Sequence, residues 1–205
     1  MTPGDALRHL MDGNERFVRN VRSIDAMLSQ TRRGELTGGQ RPIAVVLACS
    51  DARVPAETVF DCGLGELFVV RVAGNVVAPS IVGSIEFAVS LLGPQLVLVM
   101  GHTQCGAIGA TLDVLAGHAP PESANIADIV SRISPAITEL HAAGLEDDAL
   151  SHAAVRANIR ASAGHLRHGS PLLERRVLDG DLWILGAEYD LASGRVVLLD
   201  DPPSP

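Results

Sequence analysis

Three side chains in this sequence have the chemistry to grip a borderline-soft metal ion: Cys49 in the run ACSDARV, and His102 and Cys105 in GHTQCGAIG. Zn²⁺ accepts thiolate sulfur at about 2.3 Å and imidazole nitrogen at about 2.0 to 2.1 Å, and with three protein ligands it keeps a fourth tetrahedral position for water. HxxC spacing is a modest signal and Cys49 lies far upstream. On these residues alone a metal centre and plain burial are equally good accounts, because free cysteine is among the most buried residue types. Asp51 and Arg53, close behind Cys49, favour the metal: a bidentate guanidinium keeps a carboxylate ionised and fixes its direction. The plainer account is a turn in which Asp51 caps the following helix and Arg53 is solvated. Cys62, in FDCGLG with no neighbouring ligand, is assigned to packing.

Ligands so far apart meet only if the fold brings them together. Ile43 to Ala48 reads as a buried strand, Leu67 to Val70 and Leu96 to Met100 as two more, and Ile81 to Leu92 is long enough for a crossover helix. Cys49 then directly follows the first strand, while His102 and Cys105 sit just beyond the third. In a parallel sheet, ligands collect in the crevice outside the carboxyl ends of the strands. The opening reads as a capped amphipathic helix, with Thr2 as N-cap, Pro3 in the first turn, and Leu7, Leu10, Met11, Phe17 and Val18 on one face that needs a covering surface. A helix over Ile24 to Thr31 should be ended by the polar segment Arg32 to Pro42. From Glu122 to about His168 the pattern is helical with a break near Gly144, where Glu146, Asp147 and Asp148 favour a new helix start through its dipole. Leu182 to Ala187 and Arg195 to Leu199 flank a Ser193-Gly194 turn and should pair antiparallel at the sheet edge, and the tail DDPPSP should fray.

The expectation is an α/β fold: a central, mostly parallel sheet of about four strands plus an antiparallel edge strand, flanked by helices. It forms a single domain over 1–205, with an N-terminal helical arm over 1–35 and the α/β core over 40–200. With 205 residues and 47% hydrophobic content, the chain can bury a sizeable core. A net charge of −8 with arginines scattered singly or in pairs leaves no basic stripe for nucleic acid. No stretch approaches the roughly 20 apolar residues of a membrane span, and the N-terminus lacks the basic start and apolar run of a signal peptide. A cytoplasmic setting follows, with reduced thiols, and three cysteines there suit metal binding or burial better than disulfides.

In order and spacing, ACSDARV, GELFVVRVAGN, GSIEFAV and GHTQCGAIGA resemble the β-class carbonic anhydrases of the bacterial type, over about Gln40 to Gly109. GAEYDLASGRV resembles the family's closing hairpin and the amphipathic N-terminus its dimer-embracing arm. The resemblance implies that Cys49, His102 and Cys105 ligate Zn²⁺, that Asp51 accepts a hydrogen bond from the metal-bound water or hydroxide, and that Arg53 anchors Asp51. It further implies reversible hydration of carbon dioxide to bicarbonate and a proton by zinc-bound hydroxide, that is, a carbonate dehydratase. Gln40 and the Gly106 N–H would contact substrate oxygens, and Phe68 and Phe87 would wall an apolar pocket shared across a dimer interface. For both phenylalanines ordinary core packing is the plainer account.

Two departures stand out. Ala52 replaces the family's usual Ser, and Val46 stands where some bacterial members carry the Trp of an inhibitory bicarbonate site, although Arg71 and Tyr189 match that site's other residues. The family also shows a switch in which the Asp leaves its Arg for the fourth zinc position at lower pH, and Asp51 and Arg53 would support it. A carbonyl sulfide or carbon disulfide hydrolase on the same scaffold, and a non-catalytic protein whose zinc Asp51 closes, are the alternatives; with no CxxC a thiol redox role is weaker. His9, His118, His141, His152, His165 and His168 fall on polar or helical stretches that suit solvated side chains. GHTQCGAIG lacks the Lys-Ser/Thr pair of a phosphate-cradling loop. The expected partners are a small-molecule substrate and further copies of the chain, as homodimer or homotetramer.

Overall fold

A computed structural model describes residues 1–23, 30–118, 120–145 and 147–203. Five strands form one sheet in the order β2-β1-β3-β4-β5: β1 (Ala44–Ala48), β2 (Leu67–Arg71), β3 (Leu96–His102), β4 (Trp183–Tyr189) and β5 (Val196–Leu198). The first four are mutually parallel and β5 runs antiparallel to β4. Every residue of β1 and β3 is buried, as continuous apolar runs covered on both faces should be. Val45, Leu47, Val97 and Val99 point into one core, while Ala44, Val46, Leu96 and Leu98 point into the other.

The helices are α1 (Pro3–Val18), α2 (Gln30–Glu35), α3 (Ala56–Val59), α4 (Pro79–Phe87), α5 (Gly106–Leu115), α6 (Ala124–Ala142), α7 (Asp147–His168) and α8 (Pro171–Leu178). Thr2 caps α1 by accepting the Asp5 N–H at 3.1 Å. The stripe on α1 buries Ala6, Leu7 and Leu10 against this chain's own second core, with Phe60, so it requires no partner surface. Helical structure runs on through Arg32 and Arg33 to Glu35, past the expected stop; residues 24–29 of the expected Ile24 to Thr31 helix, and Glu146, lie outside the described residues. The crossover element is α4 followed by a wider π turn over Ala88–Leu92, ended by Gly93 at φ +79°. Near the C-terminus, Asp200 is tied to Arg160 at 3.2 Å rather than loose.

β1 connects first to β2 on one side, and the chain then crosses to β3 on the other. The carboxyl ends of β1 and β3 therefore diverge into a crevice, the place where open α/β sheets bind ligands. Among the described residues, no helix is long and apolar enough to cross a membrane.

Candidate metal centre

Cys49 leaves the end of β1, and His102 is the last residue of β3, not a loop residue beyond it. Because these strands are paired, with Ala48 opposite Met100, their ends are neighbours in space. A short turn, in which Gln104 adopts a left-handed φ of +56°, then brings Cys105 back as the residue before α5. All three side chains are buried, and their ligand atoms lie within 4.8 Å of one another.

The donor set fits a tetrahedral ion of the zinc class. Cys49 Sγ and Cys105 Sγ are 4.0 Å apart, against about 3.8 Å for two sulfurs each about 2.3 Å from one tetrahedral centre. His102 Nδ1 lies 2.9 Å from the Thr103 carbonyl oxygen. Donation of an Nδ1 proton to that carbonyl leaves the lone pair on Nε2, the arrangement by which ligating histidines are oriented. Nε2 is itself buried without a hydrogen-bond partner among the described residues, a cost in an apolar interior that a metal bond removes. The Cys105 thiol and His102, with the Asp51 and Gly74 amides, stabilise the Cys49 thiolate against the opposing effect of burial and draw its pKa down to about 4. The adjoining Cys105 thiol is raised by donating to Cys49 and by burial. The Gly74 N–H donates to Cys49 Sγ at 3.3 Å.

Asp51 stands beside this cluster, its Oδ2 3.9 Å from His102 Nε2. Arg53 grips both carboxylate oxygens, Nε donating to Oδ1 at 3.0 Å and Nη2 to Oδ2 at 2.7 Å, while its backbone N–H adds a third bond to Oδ1 at 2.9 Å. Arg53 holds the Asp51 carboxyl well below the usual carboxylate range, more than offsetting the burial that would raise it. Charge-assisted, forked bonds of this kind fix direction as well as ionisation.

Sequence reasoning missed what clamps the ligand loop. Arg71 at the end of β2 donates to the carbonyl oxygens of Cys49 at 3.0 Å and Asp51 at 2.6 Å. Its partners are backbone atoms, so only the position of Arg71 one strand away from Cys49 could have signalled it. Val46 is fully buried inside β1.

The expected pocket residues lie elsewhere in the single chain. Gly106 opens α5 beside Cys105. Gln40 is exposed near Leu36, Leu64 and Gly65, before β1 begins, a strand's length from Cys49. Phe68 pairs in register with Val45, and its ring lies 6.5 Å from that of Phe87, which is 52% exposed. Cys62 is buried as expected, yet it is not isolated, for His9 and Glu66 stand beside it.

The carbonic anhydrase family profile matches residues 44–196. The chain is 41% identical over 200 residues to a carbonic anhydrase of Mycolicibacterium smegmatis, covering 96% of this chain and 93% of that protein. It is 37% identical over 199 residues to carbonic anhydrase 2 of Mycobacterium tuberculosis, covering 97% and 93%. Among solved structures, the β-carbonic anhydrase CcaA superposes with a TM-score of 0.75 at 25% identity over 97% of this chain and 99% of that one. A Coccomyxa β-carbonic anhydrase in complex with acetazolamide gives 0.75 at 27% identity over 85% and 79%.

Proposed function

The chain belongs to the carbonic anhydrase family, in its β class, and from that premise we propose that it hydrates carbon dioxide reversibly to bicarbonate and a proton at the Cys49, His102 and Cys105 centre. The observation that carries this reading is the buried cluster of two sulfurs and one unpartnered imidazole nitrogen, with an oriented, ionised carboxylate next to it. Zn²⁺ held by those three ligands supplies Lewis acidity that lowers the pKa of water from 15.7 towards about 7, and so a nucleophile at neutral pH.

The chain's own groups then select geometry. Asp51, ionised and acceptor-only, takes the hydrogen bond of the nucleophile's remaining proton at Oδ2, which turns the oxygen lone pair towards the substrate carbon. Both Asp51 oxygens are already engaged by Arg53, which favours Asp51 as an acceptor over Asp51 as a fourth ligand. We assign the Gly106 N–H, in the first turn of α5 where backbone donors lack helical partners, as the donor to a developing substrate oxygen. Gln40 precedes β1 and Phe68 pairs with Val45, at the end of β1 opposite Cys49, and we assign both, with Phe87 beside Phe68, to the centre of a second copy. Exposed Phe87 and Leu91, one turn apart, supply an apolar face for that copy, consistent with a homodimer or homotetramer.

The test is stopped-flow hydration with parallel metal analysis. Wild type should carry zinc and hydrate CO₂. Cys105→Ala should lose both, whereas Asp51→Asn should keep its zinc and lose about 10²- to 10⁴-fold in kcat, the usual scale for a positioned proton-handling group. Zinc-replete wild type without hydration activity above pH 8 would remove the reading.

A further inference from the structure

A second set of metal-type donors lies at the other end of the sheet. A ring nitrogen of His9, the sulfur of Cys62 and a carboxylate oxygen of Glu66 are within 4.8 Å of one another. Cys62 and Glu66 bracket the turn between α3 and β2, and the Ile43 N–H donates to the Glu66 carbonyl oxygen at 2.8 Å, which places that turn at the amino end of β1. Cys49 follows its carboxyl end. Five strand residues, about 17 Å, separate the two clusters.

The convergence follows from how α1 docks. His9 and Gly13 are one turn apart on the same face, and a Cβ at Gly13 would sit only 1.9 Å from the Phe60 carbonyl oxygen. The absent side chain lets α1 approach the 60–66 turn closely, and His9 descends on Cys62 and Glu66. The donors have capacity to spare. Among the described residues the His9 ring has no hydrogen bond or ion pair. Glu66 uses only Oε2, on the Gly63 N–H, and the Cys62 thiol has one long contact, 3.5 Å, to the Phe60 carbonyl oxygen. A cavity of about 300 Å³ whose lining includes Cys62, Gly63, Glu57 and Arg22 opens beside the sulfur, the Arg22 charge being paired with Asp61 at 3.0 Å.

We propose that His9, Cys62 and Glu66 form a second divalent-metal site of the Zn²⁺ class, which fastens α1 to the turn before β2. One sulfur, one nitrogen and one oxygen donor suit zinc and disfavour Mg²⁺ and Ca²⁺, which take oxygen ligands. Burial, with Glu66 and Asp61, pushes the Cys62 thiol up to about 12, so the sulfur gives up its proton only to a partner that bonds it directly. A divalent ion binds by displacing the S–H proton to solvent as the sulfur–metal bond forms, with no change of oxidation state. Three protein ligands would leave a tetrahedral ion one position for solvent.

The test starts from protein already holding one zinc per chain. It is equilibrated with excess Zn²⁺ at pH 8, desalted, and analysed for metal. Wild type should retain two equivalents, while Cys62→Ser and His9→Gln should retain one with unchanged CO₂ hydration. Thermal midpoint should rise with the second equivalent in wild type only. Co²⁺ added to the zinc-loaded protein should give a sulfur-to-cobalt charge-transfer band that Cys62→Ser lacks. His9→Gln leaves the buried thiol intact, so it decides the matter should Cys62→Ser fail to fold. Wild type stopping at one equivalent, or a folded variant of either kind retaining the second, overturns the site.

Discussion

Replacing Gly74 by Ala tests whether the backbone around the centre is built for the metal. Gly74 sits at φ +66°, donates its N–H to Cys49 Sγ at 3.3 Å, and accepts the Asn158 side-chain amide at 2.8 Å through its carbonyl. A left-handed conformation costs a residue with a Cβ about 1 to 2 kcal/mol. The added carbon would also lie 2.9 Å from Ile133 Cδ1 and 3.1 Å from Ala107 Cβ. Ile133 is fully buried and has little room to retreat, so overpacking adds about 1 to 3 kcal/mol. The two together predict a loss of about 2 to 5 kcal/mol in urea unfolding of the metal-free protein. Relief comes most easily by moving the 73–75 segment away, which stretches the N–H···S bond from its 3.3 Å. Loss of such an outer contact lowers metal affinity about 10- to 100-fold, readable by chelator competition. Gly164→Ala is the control, since Gly164 lies within α7 with nothing within 4 Å of its added carbon; it should gain up to about 1 kcal/mol from helix propensity. Gly74→Ala within about 0.5 kcal/mol of wild type, the range of an inconsequential surface change, and with unchanged zinc affinity, would refute the reasoning.

Gly13→Ala reverses the usual sign for a helix interior: propensity offers about 1 kcal/mol, but the 1.9 Å approach to the Phe60 carbonyl is backbone to backbone. Overpacking costs about 1 to 3 kcal/mol, and so close an approach belongs at the upper end, so a net destabilisation of about 2 kcal/mol is expected in urea titration. Asp190 accepts from the Ser193 hydroxyl at 2.6 Å and the Ser193 N–H at 2.7 Å, and these bonds hold its pKa below the usual carboxylate value. A depressed folded pKa gives stability that is present above the unfolded value of about 3.9 and lost as pH falls through the folded one. Wild type should therefore lose stability below roughly pH 4 that Asp190→Asn does not lose, as read from unfolding midpoints between about pH 5 and 2.

The strands were legible where burial alone dictates residue type, and became less so where chemistry intrudes. β3 was read as stopping at Met100 because Gly101 and His102 break the apolar run, yet pairing with β4 continues to Tyr189 opposite His102. The strand thus carries its ligand on rigid backbone, which the run of residue types conceals. β4 shows the same effect at Glu188 and Tyr189, both inside the strand and both buried. The ligand set was legible only through motif resemblance, because Cys49 and His102 become neighbours through pairing of β1 with β3, two strands that are not consecutive in the chain. No spacing rule encodes that order.

Features whose partners are backbone atoms left no trace in residue patterns. Arg71 reads as the polar end of β2 until its bonds to the Cys49 and Asp51 carbonyls are seen, and Gly74 reads as a turn residue until its N–H is found on Cys49 Sγ. His9 and Cys62 were each assigned a plain role because each is plain alone. Their meeting depends on how closely α1 approaches the Phe60 carbonyl, a distance set by the missing Cβ of Gly13. Phe68 and Phe87 present the converse case: their types suit a pocket wall, but one chain leaves Phe87 half exposed and far along the sheet from Cys49. Fully burying an exposed aromatic ring is worth roughly 1.5 to 3 kcal/mol, so covering the exposed half of Phe87 with a second copy would recover about half of that.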